Sequence, residues 1–444
     1  MSITEVCWSR GIVLLNLLIF LLLPSAGAAA PDNVPARKPK LIFAVILTRH
    51  GVRSPIASVE ALNAFSSQPW PAWDVPPGDL TPRGRKLMEL FGSYYRSYFS
   101  SNGLLSQAGC EDADRIFIRA DTDTRTRETG RALAVGMMPG CQVEVQVASG
   151  KDDPLFSPLN AGIGEPDCAL AVASIAGRIG GDPSAFIATY RNEFETLRQV
   201  LFGCVPYSPC PAEQQSGKQT LLDQPSSVVA VTGGHAADIQ GPLKIGSNLS
   251  EAFLLEYANG MEGRDLGWGR LTEAKLLEIM RIHEAYADLA RQTPYIARIQ
   301  GSNLLSHILR SMAQAASDTT LSGSLGKSGD HVLVIAGHDT NLSNIAGMLG
   351  ISWLLGGYQP TDTPPGGALV FELWRQGRGE FVVNTYFTAQ SLEQMRNVLP
   401  LSIDNPPLKS PVFVPGCSRG NMTCTWEEFQ RTVNNAIDLA FVRP

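Results

Sequence analysis

Three apolar runs, each followed by polar or charged residues, constrain the fold more than any other feature of the sequence. Leu41–Leu47 (LIFAVIL) and Val332–Ala336 (VLVIA) are unbroken, and Arg115–Ile118 (RIFI) is a shorter run. Continuous apolar runs are typical of strands that are buried on both faces, as in the parallel sheets of α/β proteins. The sequence therefore predicts a central sheet that is covered by helices.

Helical patterns follow these strands. A helix is predicted over residues 81–99, with Thr81 as its N-cap residue and proline at its first position. Two more helices are predicted over residues 125–137 and 341–349. Alternating strands and helices favour an α/β fold.

The middle of the chain differs from its ends. The chain has 444 residues, more than the roughly 100–200 of a typical domain, so two structural units are expected. Residues 165–290 are predicted to form a mostly helical domain, inserted into an α/β domain made of residues 38–164 and 291–444. Its helical segments are 182–202, 251–257 and 273–291, and a late hairpin is predicted over 369–374 and 381–387. The predicted fold class is α/β, with a central mixed sheet flanked by helices and this helical domain beside it.

The first thirty residues have the features of a secretory signal peptide. Arg10 precedes an apolar stretch from Gly11 to Leu23, and the small residues Ala26-Gly27-Ala28 follow it. The stretch is shorter than the roughly 20 apolar residues of a membrane span, and a buried N-terminal helix is the alternative. We therefore predict that residues 1–28 are a signal peptide, and that the mature protein is periplasmic or secreted and not bound to a membrane.

Charge and cysteine usage exclude other classes of protein. The 36 Lys and Arg residues against 42 Asp and Glu give a net charge of −6 without long runs of one sign. Neither disorder nor a nucleic-acid-binding surface is indicated. After removal of Cys7, none of the remaining cysteines lies in a CxxC pair or near a histidine at zinc spacing. Export favours disulfides. Because the number of remaining cysteines is odd, at least one thiol is left unpaired or pairs outside the chain.

Reactive side chains follow all three predicted strands. They are found in Arg49–Arg53 (RHGVR), in Asp121–Arg125 (DTDTR) and in His338-Asp339. Ligands of open α/β sheets bind beyond the carboxyl ends of the strands, so these side chains are predicted to converge. One strand-end histidine alone is more often a structural residue, but three such strand ends together indicate a site.

The residue types indicate phosphoryl transfer. Arg49, Arg53 and Arg125 offer planar guanidinium groups that match phosphate oxygens and neutralise their charge in the transition state. A neutral imidazole among these cations keeps a lone pair for attack on phosphorus. An adjacent carboxyl group could protonate the leaving alcohol, which contributes roughly 10²–10⁴-fold. The sequence has no Walker A motif, and neither a cofactor nor a metal is expected.

Two motifs carry a resemblance to a known family. Arg49–Pro55 (RHGVRSP) resembles the RHGxRxP signature of the histidine acid phosphatases, and Gly337–Asn341 (GHDTN) resembles their later HD motif. More narrowly, the chain resembles the bacterial periplasmic branch that includes phytases and glucose-1-phosphatases. Supporting stretches keep the family order from about residue 40 to about residue 430: Ala120–Thr126, Gly267–Arg270 and Pro364–Gly367.

The resemblance implies a role for each motif residue. His50 would be the nucleophile that becomes phosphohistidine, and Asp339 would be the proton donor. The implied phosphate-binding residues are Arg49, Arg53, Arg125 and His338. Residues that match positions near the leaving portion of the substrate are Asp121, Glu251, Arg270 and Thr340.

The resemblance also implies a pattern of disulfides. The expected pairs are Cys110–Cys141, Cys204–Cys210 and Cys417–Cys424. Cys168 matches a position whose partner lies near the C-terminus in the related enzymes, but the tail of this chain has no cysteine. Cys168 is therefore predicted to be a free, largely buried thiol.

The sequence thus predicts an exported acid phosphatase that hydrolyses phosphomonoesters. Its expected partners are small-molecule phosphate esters, and a monomer is favoured. A phosphoglycerate-mutase-like phosphotransferase is one alternative, although the signal peptide argues against it. A non-catalytic phosphate-binding protein is another, although it would be expected to lack the nucleophile or the acid.

Two further expectations concern residues around the site. In the related phytases a lysine commonly follows the RHGxRxP motif by two positions, whereas Ile56 and Ala57 follow it here. We therefore expect measurable phytate hydrolysis without the strong preference of a specialist. The histidines outside the motifs are assigned structural or surface roles: His235, His283, His307 and His331.

Overall fold

The structure is a computed structural model that describes residues 38–231, 234–377 and 379–443. The predicted signal peptide lies outside the described residues. The residues after Ala36 form one compact unit, and the division into an α/β and a helical domain stays a prediction. No helix in the described ranges combines the length and apolar character that crossing a membrane requires.

The elements are numbered in chain order. The strands are β1 (Lys40–Arg49), β2 (Ile116–Ala120), β3 (Val145–Gln146), β4 (Ser227–Ala230), β5 (Ala237–Gln240), β6 (Val332–Gly337), β7 (Ala368–Arg375), β8 (Phe381–Ala389), β9 (Leu408–Pro411) and β10 (Thr423–Thr425). The α-helices are α1 (Val59–Asn63), α2 (Pro82–Ser101), α3 (Thr124–Met137), α4 (Cys168–Arg178), α5 (Pro183–Ala188), α6 (Arg191–Phe202), α7 (Pro242–Ala258), α8 (Glu273–Ala290), α9 (Pro294–Ser317), α10 (Asp339–Leu349), α11 (Leu392–Asn397) and α12 (Trp426–Ala436).

A mixed sheet lies at the centre of the fold, as the sequence predicts. Its strand order is β10-β8-β7-β1-β6-β2-β3, with β9 beside β8. Strands β1, β6, β2 and β3 run parallel, whereas β7 and β8 form the predicted antiparallel hairpin. Arg49 lies opposite Gly337, and Ala120 lies opposite Ala336. The carboxyl ends of β1, β6 and β2 therefore meet at one edge.

The apolar runs are unbroken because both faces of the sheet are covered. On one face, Ile46 of β1 belongs to a core that includes Phe91 of α2 and Leu133 of α3. On the other face, Val45 belongs to a core that includes Ile299 of α9. Successive residues of a strand point to opposite faces, so a strand covered on both sides needs apolar residues throughout.

The helices differ from the sequence prediction at several places, since α1, α4, α11 and α12 were not predicted and α7 begins at Pro242, before the predicted residue 251. The helix predicted over residues 182–202 is interrupted between α5 and α6, where the Thr189 hydroxyl donates to the Phe186 carbonyl at 2.6 Å. Such side-chain bonds compete with helix continuation. Helix α9 escaped prediction because buried polar residues such as Asn303 and Ser306 obscure its apolar stripe.

The three disulfides implied by the resemblance are present: Cys110–Cys141, Cys204–Cys210 and Cys417–Cys424. Among the described cysteines, Cys168 is a free thiol. It lies at the start of α4 and is half-buried, not largely buried as expected, because only one side of that helix packs against the core. The disulfides fit an oxidising compartment.

Candidate active site

The three strand ends bring the predicted residues together through the main chain. The backbone N–H of His50 donates to the Gly337 carbonyl at 2.9 Å, and that of Asp121 donates to the Ala336 carbonyl at 3.1 Å. A Cβ atom on Gly337 would lie 2.7 Å from Oδ1 of Asn341, so the turn into α10 requires glycine here. The close approach of β6 to β1 thus places both motifs at one site.

A cavity of about 330 Å³ opens at this edge of the sheet. Among its lining residues are these predicted ones: His50, Arg53, Asp121, Arg125, Glu251, His338, Asp339 and Thr340. Arg49 is not among the lining residues: it is 1% exposed, and its Nη1 donates to the Thr363 carbonyl at 2.6 Å. The sheet edge therefore collects charged groups from four separate segments of the chain.

Arg270 lies apart from this cavity. Its guanidinium group donates to the carbonyls of Val200 at 2.7 Å and Leu201 at 3.0 Å, and it stacks over the Trp268 ring. These contacts hold the side chain against the end of α6. The structure therefore places Arg270 in a packing position and does not bring it to the other predicted site residues.

His50 is positioned to use its Nε2 atom. Its Nδ1 lies 2.9 Å from the Gly51 carbonyl, which as an acceptor requires the proton on Nδ1. The side chain is 2% exposed. Burial, followed by the charges of Arg53, Arg49 and Arg125, holds the pKa of His50 well below its usual value. The imidazole is therefore neutral, and the lone pair on Nε2 faces the arginines.

Glu251 of α7 occupies two of these arginines. Its Oε2 accepts from Nη2 of Arg53 at 3.0 Å, and its Oε1 pairs with Nη2 of Arg49. Burial alone would raise the pKa of Glu251, but Arg53 and Arg49 outweigh it and lower the pKa to about 2. The carboxylate therefore stays ionised and neutralises part of the positive charge of the two arginines.

His338, the N-cap residue of α10, is held between opposite charges. Its Nε2 donates to Oδ2 of Asp121 at 2.7 Å, and Nη2 of Arg125 lies 3.4 Å from its Nδ1. Burial would raise the pKa of Asp121, but the hydrogen bond from His338 outweighs it and lowers that pKa. Arg125 also pairs with Asp123 at 2.6 Å. Asp121 therefore fixes the orientation of His338.

Asp339 is buried against Arg291, a residue that no sequence motif indicates. Nη1 of Arg291 lies 2.7 Å from Oδ2 of Asp339, and Nη2 of Arg49 lies 3.8 Å away. The N–H of Thr340 donates to Oδ1 of Asp339 at 2.8 Å. Burial would raise the pKa of Asp339, but Arg291 and Arg49 hold it well below its usual value.

Among the lining residues that sequence reasoning did not assign to the site, two have side chains that can carry a positive charge. His235, which was expected to be structural or on the surface, lines the cavity with its Nδ1 3.2 Å from Oε1 of Gln300. Arg291 directly follows the last residue of α8 and belongs to no motif. The two residues come from segments far apart in the sequence, so only the folded structure brings them to the cavity.

Two groups of side chains could offer ligands to a metal ion. They are Asp121, Asp123 and His338, and Glu251, His283 and Asp339. Most of their carboxylates already face positive partners: Asp123 pairs with Arg125, Glu251 with Arg49 and Arg53, and Asp339 with Arg291. The dominant charge pattern of the cavity is therefore arginine against carboxylate.

Comparison with known families agrees with this geometry. The sequence matches the histidine phosphatase superfamily (branch 2) over residues 40–180 and 182–388. The chain belongs to this family. It is 35% identical to phytase AppA of Escherichia coli (strain K12) over 433 residues, 95% of this chain and 96% of that protein. It is 27% identical to the glucose-1-phosphatase of Salmonella typhimurium over 398 residues, 88% of this chain and 91% of that protein.

Solved structures of bacterial phytases share the fold. The phytase from Citrobacter braakii superposes with a TM-score of 0.83 at 34% identity, covering 91% of this chain and 100% of that one. Hafnia alvei phytase in complex with myo-inositol hexakis sulphate gives a TM-score of 0.82 at 33% identity, covering 94% and 100%. The resemblance noted on RHGVRSP and GHDTN is confirmed, and the protein is an enzyme of the histidine acid phosphatase class.

Proposed function

We propose that the protein is an exported acid phosphatase that hydrolyses phosphomonoesters, phytate included, through a phosphohistidine at His50. The observation that carries the proposal is the unprotonated Nε2 of a buried, neutral imidazole among three arginines. A neutral nitrogen nucleophile beside fixed cations suits attack on an anionic phosphate. Arg49, Arg53, Arg125 and His338 bind the phosphate oxygens as the bond to nitrogen forms.

The reaction proceeds in two balanced steps. Nε2 of His50 attacks phosphorus, the ester P–O bond breaks, and Asp339 gives its proton to the leaving alkoxide. A water molecule then attacks phosphorus and passes a proton to the Asp339 carboxylate while the bond between phosphorus and Nε2 breaks, so that phosphate and free His50 are produced. Each step uses the same carboxyl group, once as acid and once as base.

Asp339 has to gain a proton before the first step. In the free enzyme Arg291 and Arg49 favour its ionised form and depress its pKa. A phosphate bound at Arg49 brings negative charge towards Asp339, which favours the protonated carboxyl group. Acidic solution acts in the same direction. The charge arrangement therefore supports activity at acidic pH.

Phytate belongs to the proposal because of the relatives. Phytase AppA and the phytases of Citrobacter braakii and Hafnia alvei resemble this chain over nearly its whole length. The cavity of this chain is lined by Arg53, Arg125 and Arg291, which suits an anionic substrate. We infer that phytate is hydrolysed as one of several phosphomonoesters.

The decisive experiment replaces the nucleophile. His50→Ala is expected to lower kcat for p-nitrophenyl phosphate by about 10⁴-fold or more and to abolish an acid-labile, alkali-stable phosphoenzyme after rapid quenching. His331→Ala is the matched control, because His331 lies beside Arg115 at the other end of the sheet. Phosphate trapped on another residue would contradict the mechanism, and so would activity that a chelator removes from the wild type.

Export is tested separately. Expressed in a Gram-negative bacterium, the protein is expected in the periplasmic extract, with an N-terminus directly after Ala28. Mass spectrometry of the intact protein measures this. A protein that keeps residues 1–28 in the cytoplasm would contradict export while leaving the chemistry untouched.

A further inference from the structure

A second cavity, of about 290 Å³, adjoins the catalytic one. The two share Arg53, Ile56, Asn248 and Glu251. Beyond these shared residues the walls of the second cavity are apolar, and they are formed by Pro55, Ala57, Leu62, Ala252 and Leu255. A substrate whose phosphate lies at Arg53 can therefore extend directly into it.

The cavity wall changes from polar to apolar along one face of helix α7. Glu251 and Ala252 lie three and four residues after Asn248, and Leu255 lies four and three residues after them, so these side chains share one stripe of the helix. Glu251 contacts the phosphate-binding arginines, and Leu255 lies one turn further along. The helix thus presents charge at the catalytic end and aliphatic surface beyond it.

A third cavity, of about 240 Å³, continues this surface. It shares Pro55, Ala57 and Leu62 with the second and adds Trp70 and Trp73 to the walls. We call the second and third cavities together the apolar trough. Apart from Arg53, no described residue that lines the trough is an arginine or a lysine.

The trough leaves large apolar side chains uncovered. Ile56, between the catalytic cavity and the trough, is 59% exposed, and Val59 further out is 45% exposed. Covering apolar surface of this kind with an apolar ligand is favourable, roughly in proportion to the area removed from water. A polyanionic leaving group would meet aliphatic and indole surface there without a cation to pair with.

Resting on the proposed phosphatase function, we propose that the trough binds the apolar alcohol portion of the substrate. The preferred substrates are then monophosphate esters of alcohols that carry an extended hydrocarbon group. Phosphate contacts at the sheet edge are common to all phosphomonoesters, whereas contacts with Ile56 and the trough discriminate among them. Arg270, which would have been a cation near the leaving portion, is held against α6 instead.

A series of n-alkyl phosphates from ethyl to hexyl tests this. The leaving alcohols have nearly the same pKa, so differences in kcat/KM report contacts with the chain and not leaving-group chemistry. We expect kcat/KM to rise about two- to fourfold with each added methylene group that enters the trough. Phytate should show no advantage over hexyl phosphate.

Variants locate the effect. Ile56→Ser is expected to flatten the dependence on chain length, since the hydrocarbon loses its first contact. Ile403→Ser is the matched control, because Ile403 is similarly exposed, at 50%, and lines none of the three cavities. Its dependence on chain length should equal that of the wild type.

The outcomes separate this inference from the proposed function. Hydrolysis of ethyl phosphate that depends on His50, with kcat/KM independent of chain length, would overturn the inference and leave the phosphatase function intact. An unchanged chain-length dependence in Ile56→Ser would overturn it as well. If the wild type hydrolyses none of these esters, the proposed function fails, and the inference fails with it.

Discussion

The two ends of the substrate site are built by different means. At the phosphate end, Arg49 is the last residue of the central strand β1 and His50 follows it. They are 1% and 2% exposed, and their backbone N–H groups donate to the carbonyls of Gly367 and Gly337. At the trough end, Ile56 lies in the loop before α1 and Val59 is the first residue of that helix. Their side chains are 59% and 45% exposed. The chemistry is therefore set by the rigid sheet edge, whereas the choice of substrate depends on side chains that can change without disturbing the sheet.

The largest expected effect tests the acid at the phosphate end. Asp339→Asn keeps the shape of the side chain but cannot donate a proton to an alkoxide. It should slow glycerol 2-phosphate by about 10²–10⁴-fold and p-nitrophenyl phosphate far less, because p-nitrophenolate leaves without protonation. Steady-state kcat/KM for the two esters measures the difference. Equal slowing of both would mean that Asp339 is not the proton donor.

The next effect tests whether Glu251 competes with phosphate. Glu251→Gln removes the negative charge that now pairs with Arg49 and Arg53. Inorganic phosphate should then inhibit about tenfold more tightly, which corresponds to about 1.4 kcal/mol. Glu262→Gln is the control, since that side chain is 83% exposed. An inhibition constant that stays the same or rises would show that Glu251 assists phosphate binding.

A third effect concerns Glu284, a buried carboxyl group near the segment that binds Arg49. Glu284 is buried beside Asp362, and Thr363, the next residue, accepts the hydrogen bond from Arg49. Burial and then Asp362 raise the pKa of Glu284 well above its usual value. The folded protein therefore holds a proton that the unfolded chain releases near pH 4.5. The stability that this proton provides is complete below that pH and is lost as the pH rises.

Glutamine at position 284 cannot ionise. In Glu284→Gln the free energy of unfolding should therefore fall less between pH 4.5 and neutrality than it does in the wild type. Urea unfolding at a series of pH values measures this, and at neutral pH a gain of about 1 kcal/mol in the free energy of unfolding is expected. Glu427→Gln, on the exposed side of α12, should leave the pH dependence unchanged. The same slope in wild type and Glu284→Gln would show that this carboxyl group does not carry the proton.

The comparison also explains what could be predicted from the sequence. Strand ends and the turns after them are local, so RHGVR, DTDTR and HD indicated the sheet edge and its phosphate-binding chemistry. Arg291 was missed because it reaches Asp339 only through the packing of α8 against α10. Arg270 was placed with the site by resemblance, but its guanidinium group finds carbonyl partners at the end of α6. The trough is lined by residues of α1 and α7, which are far apart in the sequence. No sequence pattern therefore indicated it.

The smallest expected effect changes the trough end alone. Ala57→Lys places a cation beyond Arg53, where further phosphates of phytate would lie. An exposed charge pair contributes about 0.2–1 kcal/mol, so the KM for phytate should fall by roughly 1.4- to 5-fold, and less at high salt. The KM for ethyl phosphate should change little, and hexyl phosphate should bind less well, because the ammonium group interrupts the apolar wall. Ala57→Ser is the uncharged control. An equal fall in KM for phytate and ethyl phosphate would mean that residue 57 acts on the phosphate end. A wild type that prefers phytate a hundredfold in kcat/KM would mean that the trough does not select the substrate.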